Sequence, residues 1–396
     1  AMGLMTEGAG KLGSLALADA ADALGADLSA SAGLDFSTVD LSALKENLAP
    51  SLDLYATVLR QPRFDQSEID RVKGSWIAGI AQEKANPTAS AMRVLPPLLY
   101  GKGHPYAIPF TGSGDEAAIA SLTRDELVDF HRDWLRPEEG TLIVVGDTTL
   151  KEIVPLLNRQ LGDWKSEGPA PKVKAAVDVA LPTGPRVFLI DQPGAVQANL
   201  FAGQVVPSSV DPGSVRFDIA NGVLGGDFTS RLNMNLREEK HWSYGARSSA
   251  SSTVGQRPWM AMAPVQIDKT GPALAEMRKE IAEFADGSKP ATEAEVNRIR
   301  NIQTLSLPGA YETAAAVAST IGSIVQFKRP DDYVVRRKAE IEAMTPAQVQ
   351  QAAAAIKPQG LTWVVVGDLK QTEAAVRALK LGEVTVIDAE GNPVKK

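Results

Sequence analysis

The sequence predicts an α+β fold made of two homologous tandem domains, each a mostly antiparallel sheet packed by helices. Two observations predict it. The segment TLIVVGD at 141–147 returns as TWVVVGD at 362–368, an offset of 221 residues. An amphipathic helix with the same start and stop signals precedes each copy. Internal repetition at a long period fixes the architecture before any single element does.

The helix that precedes each copy begins with a capping-box pattern and ends near a proline. Thr123 and Glu126 form the pattern in the first copy, and Thr345 and Gln348 form it in the second. Each box satisfies exposed N–H groups of the first helical turn. Apolar residues at helical spacing follow and predict one buried face per helix: Leu127, Phe130 and Trp134, then Val349, Ala352 and Ile356.

Other segments correspond at nearly the same offset. Two further helices match in their apolar positions, their start signals and the prolines that end them. The segments GADLSASAG (25–33) and GARSSASST (245–253) also match and are interpreted as the same strand. The matched helix positions are Leu52, Tyr55 and Leu59 with Leu274, Met277 and Ile281, then Ser67 and Pro87 with Thr292 and Pro308.

The stretch between the copies is rich in Pro, Lys and Ala, which predicts a linker at 165–184. The first domain is then 1–164 and the second 185–396. Strand-like segments RVFLID (186–191) and ANLFAGQVV (198–206) open the second copy and have no counterpart in the first. A domain without them would expose a sheet edge. We therefore expect that the first domain is N-terminally truncated in this sequence.

Composition excludes several classes of protein and site. The net charge of −7 argues against a general nucleic-acid binder, which would carry a basic excess. No apolar run reaches the roughly 18 residues of a membrane-spanning helix. The chain has no cysteine, so disulfides, thiolate zinc sites and cysteine nucleophiles are excluded.

The candidate site lies in LREEKHWSYGAR (236–247), where Arg237 precedes Tyr244 by seven residues, behind the glycine-rich run GVLGGDFTSR. By residue type alone, the pair could be an Arg in solvent at a helix end and a half-buried Tyr at a strand start. The first copy, however, has Leu17 and Leu24 at the equivalent positions. The fold alone therefore does not demand Arg and Tyr here, and this asymmetry points to function.

The strand that follows, SYGARSSASS (243–252), alternates small and polar residues as a sheet edge does. It could accept an extended peptide by strand addition, or it could be a plain solvated strand. Four of its residues are taken as substrate-binding positions: Gly245, Ala246, Arg247 and Ser248.

The histidines and the glycine run give no metal or nucleotide site. His241 could face a substrate but is interpreted as a surface or hinge residue, while His104 and His131 are interpreted as structural. The three lack metal-ligand spacing. The glycines lack the Lys-Ser/Thr of a phosphate loop and the dinucleotide fingerprint, so they are interpreted as allowing close backbone approach: Gly222, Gly225 and Gly226.

These features resemble the pitrilysin/insulinase superfamily of inverzincin metallopeptidases, in its bacterial branch similar to mitochondrial processing peptidase. The resemblance spans essentially the whole chain. It rests on YGKGHPYAIPFTGSGDEAAIASLTRDEL (100–127), the two VVGD strand ends and GGDFTSRLNMNLREEKHWSYGARSS (225–249). It implies two similar halves that form half of a clamshell chamber. It also implies a first-half zinc site made by H-x-x-E-H and a later Glu, and a second-half Arg and Tyr that bind a substrate oxygen.

The chain departs from that pattern at the metal site. The family alignment places the motif's Glu and second His near Met2 and Gly3, and the third ligand at Gly79. Neighbours Ala78 and Ile80 cannot coordinate zinc either, and Glu83 lies a full helical turn away. We therefore expect no zinc site in this chain.

The resemblance then implies a zinc-free subunit that binds no cofactor itself. It would pair with a homologous, zinc-bearing partner, around an unstructured peptide substrate, with Arg237 and Tyr244 completing the partner's active site. Two alternatives remain open: a peptidase-like structural or binding scaffold, and a self-sufficient zinc peptidase whose metal motif was truncated. The alanine-rich composition favours a bacterial protein, and resemblance to exported pairs favours the periplasm over the cytoplasm.

Overall fold

A computed structural model describes residues 1–394, which cluster into two compact units. The first unit comprises Ala1–Ile80, Gly114–Lys174 and Tyr311–Gln326, and the second comprises Ala81–Ser113, Ala175–Ala310 and the chain from Phe327 onwards. The units thus interleave along the chain, whereas the sequence repeat divides it linearly. Within residues 1–394 no helix is both long and apolar enough to cross a membrane.

The first part of the chain is mostly helical, with two short hairpins. Its elements in chain order are β1 Gly8–Ala9, β2 Leu12–Gly13, α1 Ser14–Leu24, β3 Asp27–Ala32, β4 Ser37–Ser42, α2 Leu48–Arg60, α3 Gln66–Ala85, α4 Pro87–Tyr100, α5 Glu116–Ser121, α6 Arg124–Trp134 and α7 Leu150–Leu161. The predicted linker at 165–184 carries no helix or strand.

The second part of the chain contains the large sheet and two π-helical segments, here called π1 and π2. Its elements are β5 Arg186–Asp191, β6 Gln197–Val206, α8 Ser214–Asn221, π1 Gly222–Gly226, α9 Arg231–Asn233, π2 Met234–Glu239, β7 Arg247–Ala250, β8 Arg257–Gln266, α10 Thr270–Ala285, α11 Glu293–Leu305, α12 Ala314–Gln326, α13 Tyr333–Glu342, α14 Pro346–Ala353, β9 Thr362–Gly367, α15 Leu369–Ala378 and β10 Glu383–Ile387. Short 3-10 turns lie at Met2–Leu4, Lys45–Asn47, Ile267–Lys269, Gly309–Tyr311 and Pro358–Gly360.

The first unit has a small core under two antiparallel hairpins, β1–β2 and β3–β4. Tyr55 and Leu59 on α2 face this core together with Ile69 on α3 and Leu127 on α6. The capping box predicted for α6 is present: the Thr123 side chain accepts from the backbone of Glu126, and the glutamate side chain accepts in return. Local capping therefore predicted the start of α6 correctly. The predicted buried face is confirmed at Leu127 and in part at Phe130, but it is wrong at Trp134, which is 46% exposed.

The prediction of a strand at 141–147 is wrong. Residues 141–147 form no strand, and Leu142 and Val144 are exposed. The repeat copy β9 is a strand because β5 and β6 pair with it on either side. The only ladders of the first unit are its two hairpins, and neither includes 141–147. A strand needs a ladder partner for its backbone groups, and this segment has none in the described chain.

The second unit is built on one six-stranded mixed sheet. The strand order is β10-β5-β9-β6-β8-β7, in which β10–β5 and β5–β9 are parallel and the other ladders are antiparallel. The predicted strands RVFLID and ANLFAGQVV are confirmed as β5 and β6. Strand β7 lies at one edge of the sheet and β10 at the other.

Alternate residues of the central strands are buried on opposite faces of this sheet, as the pleat requires. On β6, Leu200 and Ala202 join the larger core, to which helices α8, α9, α10, α11, α13, α14 and α15 contribute. Phe201 and Val205 join a second core with Leu95 of α4. Helix α4 therefore packs on the second unit's sheet although it belongs to the first sequence repeat, while α12 of the second repeat belongs to the first unit.

Candidate functional site

The predicted pair lies in a segment where two π-helical turns flank a short helix at the edge of the sheet. The chain passes from α8 into π1, through α9 and π2, and reaches β7 after a turn at His241, whose φ is +58°. Leu232 and Leu236 are fully buried and hold α9 and π2 on the core. π-helical turns are rare and often occur at functional sites, because the extra residue redirects side chains.

Gly225 in π1 makes the close approach that the sequence predicted for the glycine run. A Cβ at Gly225 would lie 2.5 Å from the backbone nitrogen of Ser248 on β7. Any side chain there would push π1 away from β7. Glycine is therefore required for contact rather than for backbone conformation at this position.

Arg237 extends from π2 and keeps part of its guanidinium free. The group lies 4.6 Å above the ring of Phe228 and its Nε is 3.2 Å from a carboxylate oxygen of Glu238, while 40% of the side chain remains exposed. The ring orients the cation by cation–π attraction without using its hydrogen-bond donors. The carbonyl of Arg237 accepts hydrogen bonds from the backbone N–H and Nδ1 of His241. His241 therefore closes the turn after π2 and lies at the surface, as one of its two interpretations predicted.

Tyr244 is 85% exposed, and its hydroxyl has no hydrogen-bond partner within residues 1–394. The backbone on either side is fixed. The Ser243 Oγ lies 2.6 Å from the Pro264 carbonyl and accepts a hydrogen bond from Gly245 N–H. The phenol therefore stands on an ordered turn and points its polar end to solvent.

The four predicted substrate-binding residues differ in what they can offer. Ala246 and Ser248 are buried, and their polar groups bond to asparagines of the preceding segment. Ala246 N–H donates to Asn233 Oδ1 at 3.1 Å, while Asn221 bonds to both the carbonyl and the hydroxyl of Ser248. The two others alternate with these, Gly245 half-buried and Arg247 exposed.

Two buried polar networks hold the helical segment that carries Arg237. Arg231 at the start of α9 forms a two-pronged ion pair with Glu295, and its guanidinium lies 4.8 Å above Phe284. In π2, the Asn235 side chain donates at 2.9 Å to both Glu276 and Glu280 of α10. These contacts fix both ends of the segment, so Arg237 starts from a rigid backbone.

The first repeat uses the equivalent positions differently. Leu17 is buried in the first unit's core and Leu24 is half-buried, both on α1. Apolar packing serves the fold there, whereas Tyr244 is polar and exposed and Arg237 is charged and partly exposed. The predicted asymmetry between the repeats is therefore present in the side-chain environments.

The residues at the family's metal positions do not fit zinc. Met2 is buried among apolar side chains, and a Cβ at Gly79 would meet open space. Gly79 has no side chain, and the thioether of Met2 is not among the groups that bind zinc in proteins. Within residues 1–394, no three His, Cys, Asp or Glu side chains form a group that could hold a metal ion.

Glu83 cannot replace the missing ligand, because other groups already use its carboxylate. Arg93 donates to it at 2.7 Å, and the hydroxyls of Ser113 and Thr111 lie within hydrogen-bond distance. Burial alone would raise the pKa of Glu83, but these hydrogen bonds outweigh burial and leave the pKa below its ordinary value.

The other histidines are structural. His104 accepts from Tyr106 N–H, contacts the Val177 carbonyl at 3.0 Å and stacks on Tyr100. His131 contacts the Leu59 carbonyl at 2.7 Å. Each ring therefore fixes local backbone, as predicted.

Two family models match this chain. The model described as Insulinase (Peptidase family M16) matches residues 4–103, and the model described as Peptidase M16 inactive domain matches residues 121–303. The chain belongs to peptidase family M16. This confirms the resemblance to the pitrilysin/insulinase superfamily.

Relatives of this M16 chain include bacterial proteins described as uncharacterized zinc proteases. One from Streptomyces coelicolor is 21% identical over 94% of this chain and 80% of its own length. One from Mycobacterium tuberculosis is 23% identical over 59% of this chain. For the mycobacterial relatives, the match spans about half of their length.

Solved structures share the fold. A structure described as a peptidase M16 inactive domain from Pseudomonas fluorescens superposes with a TM-score of 0.84 at 23% identity, covering 93% of this chain and 86% of that one. A protease from Helicobacter pylori gives 0.83 at 17% identity, covering 92% and 88%. The α+β fold predicted from the sequence is confirmed.

Sequence reasoning missed three residues that shape the site. Phe228 supports the guanidinium of Arg237, and Asn221 and Asn233 hold β7. The sequence does contain one indication. Asn233 is polar, yet it lies beside Leu232 and near Leu236, where helical spacing predicts a buried position. Its partners could not be found, because they depend on tertiary contacts.

The Gly225 contact generates the first prediction. Gly225→Ala should destabilise the protein by about 1–3 kcal/mol, because overpacking forces π1 away from β7. The matched control is Gly79→Ala in the open interior of α3, which should stabilise by about 0.5–1 kcal/mol. Chemical denaturation of both variants measures the difference. Equal stability of the two variants would contradict the close approach.

The Arg231–Glu295 pair generates a pH prediction. Burial would raise the pKa of Glu295, but hydrogen bonds from Arg231 and Thr292 outweigh burial and leave it below its ordinary value of 4.5. A lowered folded-state pKa contributes stability above the unfolded value, and that stability is lost as the pH falls through the folded-state pKa. Glu295→Gln should therefore cost about 1–2 kcal/mol at pH 7 and progressively less as the solution is acidified below about pH 4.5.

The control for this prediction is Asp332→Asn, which removes an exposed pair with Arg336 and should cost less than about 0.5 kcal/mol at any pH. Thermal denaturation as a function of pH measures both variants. A Glu295→Gln deficit that stayed constant from neutral pH to pH 3 would show that the carboxylate's ionisation does not stabilise the fold.

Proposed function

We propose that this chain is the zinc-free subunit of a heterodimeric M16 zinc metalloendopeptidase. It supplies Arg237 and Tyr244 to the active site of a homologous partner, which holds the zinc ion. The observation that carries the proposal is the environment of the pair. Tyr244 is exposed and Arg237 keeps 40% of its side chain exposed, both on an ordered backbone, whereas the first repeat has an apolar leucine at each position, one of them buried.

The chemistry of the pair suits binding of a peptide oxygen. A guanidinium presents five N–H donors, and the Phe228 stack and Glu238 leave part of Arg237 exposed. The Tyr244 hydroxyl is a single donor. Together they can hold a substrate carbonyl or carboxylate oxygen and stabilise the negative charge that develops on it. Donors fixed before the reaction need no reorganisation when that charge forms.

An unstructured peptide is the substrate class that the proposal implies. Ala246 and Ser248 are buried, whereas Gly245 and Arg247 have exposed atoms. Of the four residues that follow Tyr244, only Gly245 and Arg247 can therefore contact the peptide. The proposal places the pair of subunits in the periplasm. The E. coli protease PqqL, described as periplasmic, shares the fold with a TM-score of 0.75 over 92% of this chain and 40% of its own.

The proposal predicts a specific catalytic defect. With the partner isolated by co-purification, Arg237→Ala or Tyr244→Phe should reduce peptide hydrolysis on the order of 10²-fold, as loss of an oxyanion donor does. The matched control is Arg377→Ala, which removes another exposed arginine with a neighbouring carboxylate, that of Glu373 on α15. Rates of cleavage of an unstructured peptide by the mixture measure the effect.

Wild-type rates in both variants would refute the proposed role of the pair. Cleavage by this chain without a partner would refute the division of labour between two subunits.

The second candidate is a self-sufficient zinc peptidase, which the relatives described as zinc proteases favour. Metal content separates it from the proposed function. Because the metal motif of that candidate would lie upstream of residue 1, the measurement uses the full-length natural protein. It should hold less than about 0.1 zinc per molecule after dialysis, and a chelator should leave its melting temperature unchanged, because metal binding would stabilise the folded state. One tightly bound zinc per chain would establish the second candidate instead.

The third candidate is a peptidase-like scaffold that only binds. The Arg237–Glu238 ion pair and the Phe228 stack would then serve the surface alone. The same mixture experiment decides this, since a scaffold would tolerate both substitutions at Arg237 and Tyr244.

A further inference from the structure

The side chain of Asn233 joins the two parts of the candidate site. Its Nδ2 donates to the Phe228 carbonyl at 2.6 Å, and its Oδ1 accepts from Ala246 N–H at 3.1 Å. Phe228 carries the ring under the Arg237 guanidinium, and Ala246 lies two residues after Tyr244. One amide therefore contacts the backbone of the residue whose ring lies under Arg237 and the backbone two residues after Tyr244. We call these two hydrogen bonds the Asn233 bridge.

The chemistry of the partners fixes the orientation of this amide. The Phe228 carbonyl can only accept and the Ala246 N–H can only donate. The amide nitrogen must therefore face Phe228, and the oxygen must face Ala246. A flipped amide would lose both bonds.

Burial makes the bridge costly to lose. Asn233 is 4% exposed, in a helical segment beside the fully buried Leu232. An amide buried without hydrogen bonds is strongly unfavourable. A leucine at this position could pack with its neighbours, so packing alone does not require asparagine. The two hydrogen bonds therefore explain why a polar residue occupies this buried position.

The bridge also acts together with Asn221 on the edge of the sheet. Ser251 N–H donates to the Pro258 carbonyl of β8, so in an antiparallel ladder Ser249 and Arg247 also face β8. The backbone of Ser248 then faces away from β8, where Asn221 donates to its carbonyl at 3.1 Å. Ala246 N–H is bonded to Asn233.

The free edge is therefore occupied at two alternate positions, 246 and 248. A peptide that added as a strand along these residues would have to displace both asparagines. The hydrogen bonds along this edge thus hold the backbone that follows Tyr244. A substrate would contact exposed side chains and would not add as a strand.

We propose that Asn233 is the positioning residue that sets Arg237 and Tyr244 relative to each other. This rests on the proposed function for its catalytic consequence, but the bridge itself is a property of the chain alone. A small misplacement of a reacting group can cost a large factor in rate. Loss of the bridge should therefore lower kcat while substrate affinity changes little.

The first measurement needs no partner. Amide hydrogen exchange followed by NMR in the full chain should show Ala246 exchanging at least about tenfold faster in Asn233→Leu than in the wild type, because the N–H loses its acceptor. Asn233→Asp keeps that acceptor and loses only the donor to Phe228, so Ala246 should stay protected. The amides of β8 should be unchanged in both variants, which distinguishes a local effect from general unfolding.

The second measurement uses the mixture with the co-purified partner. Asn233→Leu should lower kcat by about 10- to 100-fold with KM within about twofold, and Asn233→Asp should show a smaller loss. The matched control is Asn199→Leu, which removes another buried asparagine of the same unit, bonded to Thr88. It should destabilise the protein without lowering kcat.

The outcomes separate the two proposals. If Arg237→Ala lowers the rate but Asn233→Leu leaves kcat at the wild-type value, the positioning role is wrong and the proposed function stands. If Arg237→Ala has no effect, the proposed function is wrong, and the exchange rate of Ala246 still decides whether the bridge exists. Wild-type exchange at Ala246 in Asn233→Leu would overturn the bridge in either case.

Discussion

The contact between Gly225 and Ser248 is the constraint on which the rest of the site depends. A Cβ at Gly225 would lie 2.5 Å from a backbone nitrogen of β7. The π1 segment can therefore lie against the sheet edge only if residue 225 is glycine. This close approach lets Asn221 bond to Ser248 and brings the following helical segment to the same edge. Arg237 and the turn that carries Tyr244 then project from a backbone fixed on both sides. The geometry of the candidate site is set by packing that contains no catalytic group.

The two repeats share helices at matching sequence positions but assign their polar residues differently. Where the second repeat has a partly exposed Arg237 and an exposed Tyr244, the first has Leu17, which is buried in the core, and Leu24, which is half-buried. Gly79 occupies the position of a family metal ligand in α3, where its missing side chain leaves open space. The first repeat thus lacks the Arg and Tyr of the second, and Gly79 cannot bind a metal ion. This pattern agrees with the proposed function, in which a partner subunit supplies the zinc ion.

Local patterns in the sequence predicted much of this structure. The features that the sequence did not predict depend on contacts between residues far apart in the chain. The capping boxes at Thr123 and Thr345 specify helix starts through contacts within four residues, so they are readable without the fold. The strand expected at 141–147 needed a neighbouring ladder, which no local pattern can guarantee. Helix α4 joined the other repeat's sheet because its apolar face fits there. Asn233 could be seen as a polar residue among leucines, but its partners lie five residues before it and thirteen after.

Because Tyr244 is exposed and Arg237 partly exposed, the pair contributes little to the stability of the fold. A phenol that is 85% exposed with no hydrogen-bond partner in the described chain contributes little to the free energy of unfolding, and an exposed ion pair such as Arg237–Glu238 contributes little more. The surrounding residues carry the stability instead, through burial and through Asn221, Asn233 and Arg231. Substitutions of Arg237 or Tyr244 should therefore change the rate of peptide hydrolysis while the free energy of unfolding changes little. Substitutions of the asparagines alter geometry first, so their kinetic effect measures how accurately the pair must be placed.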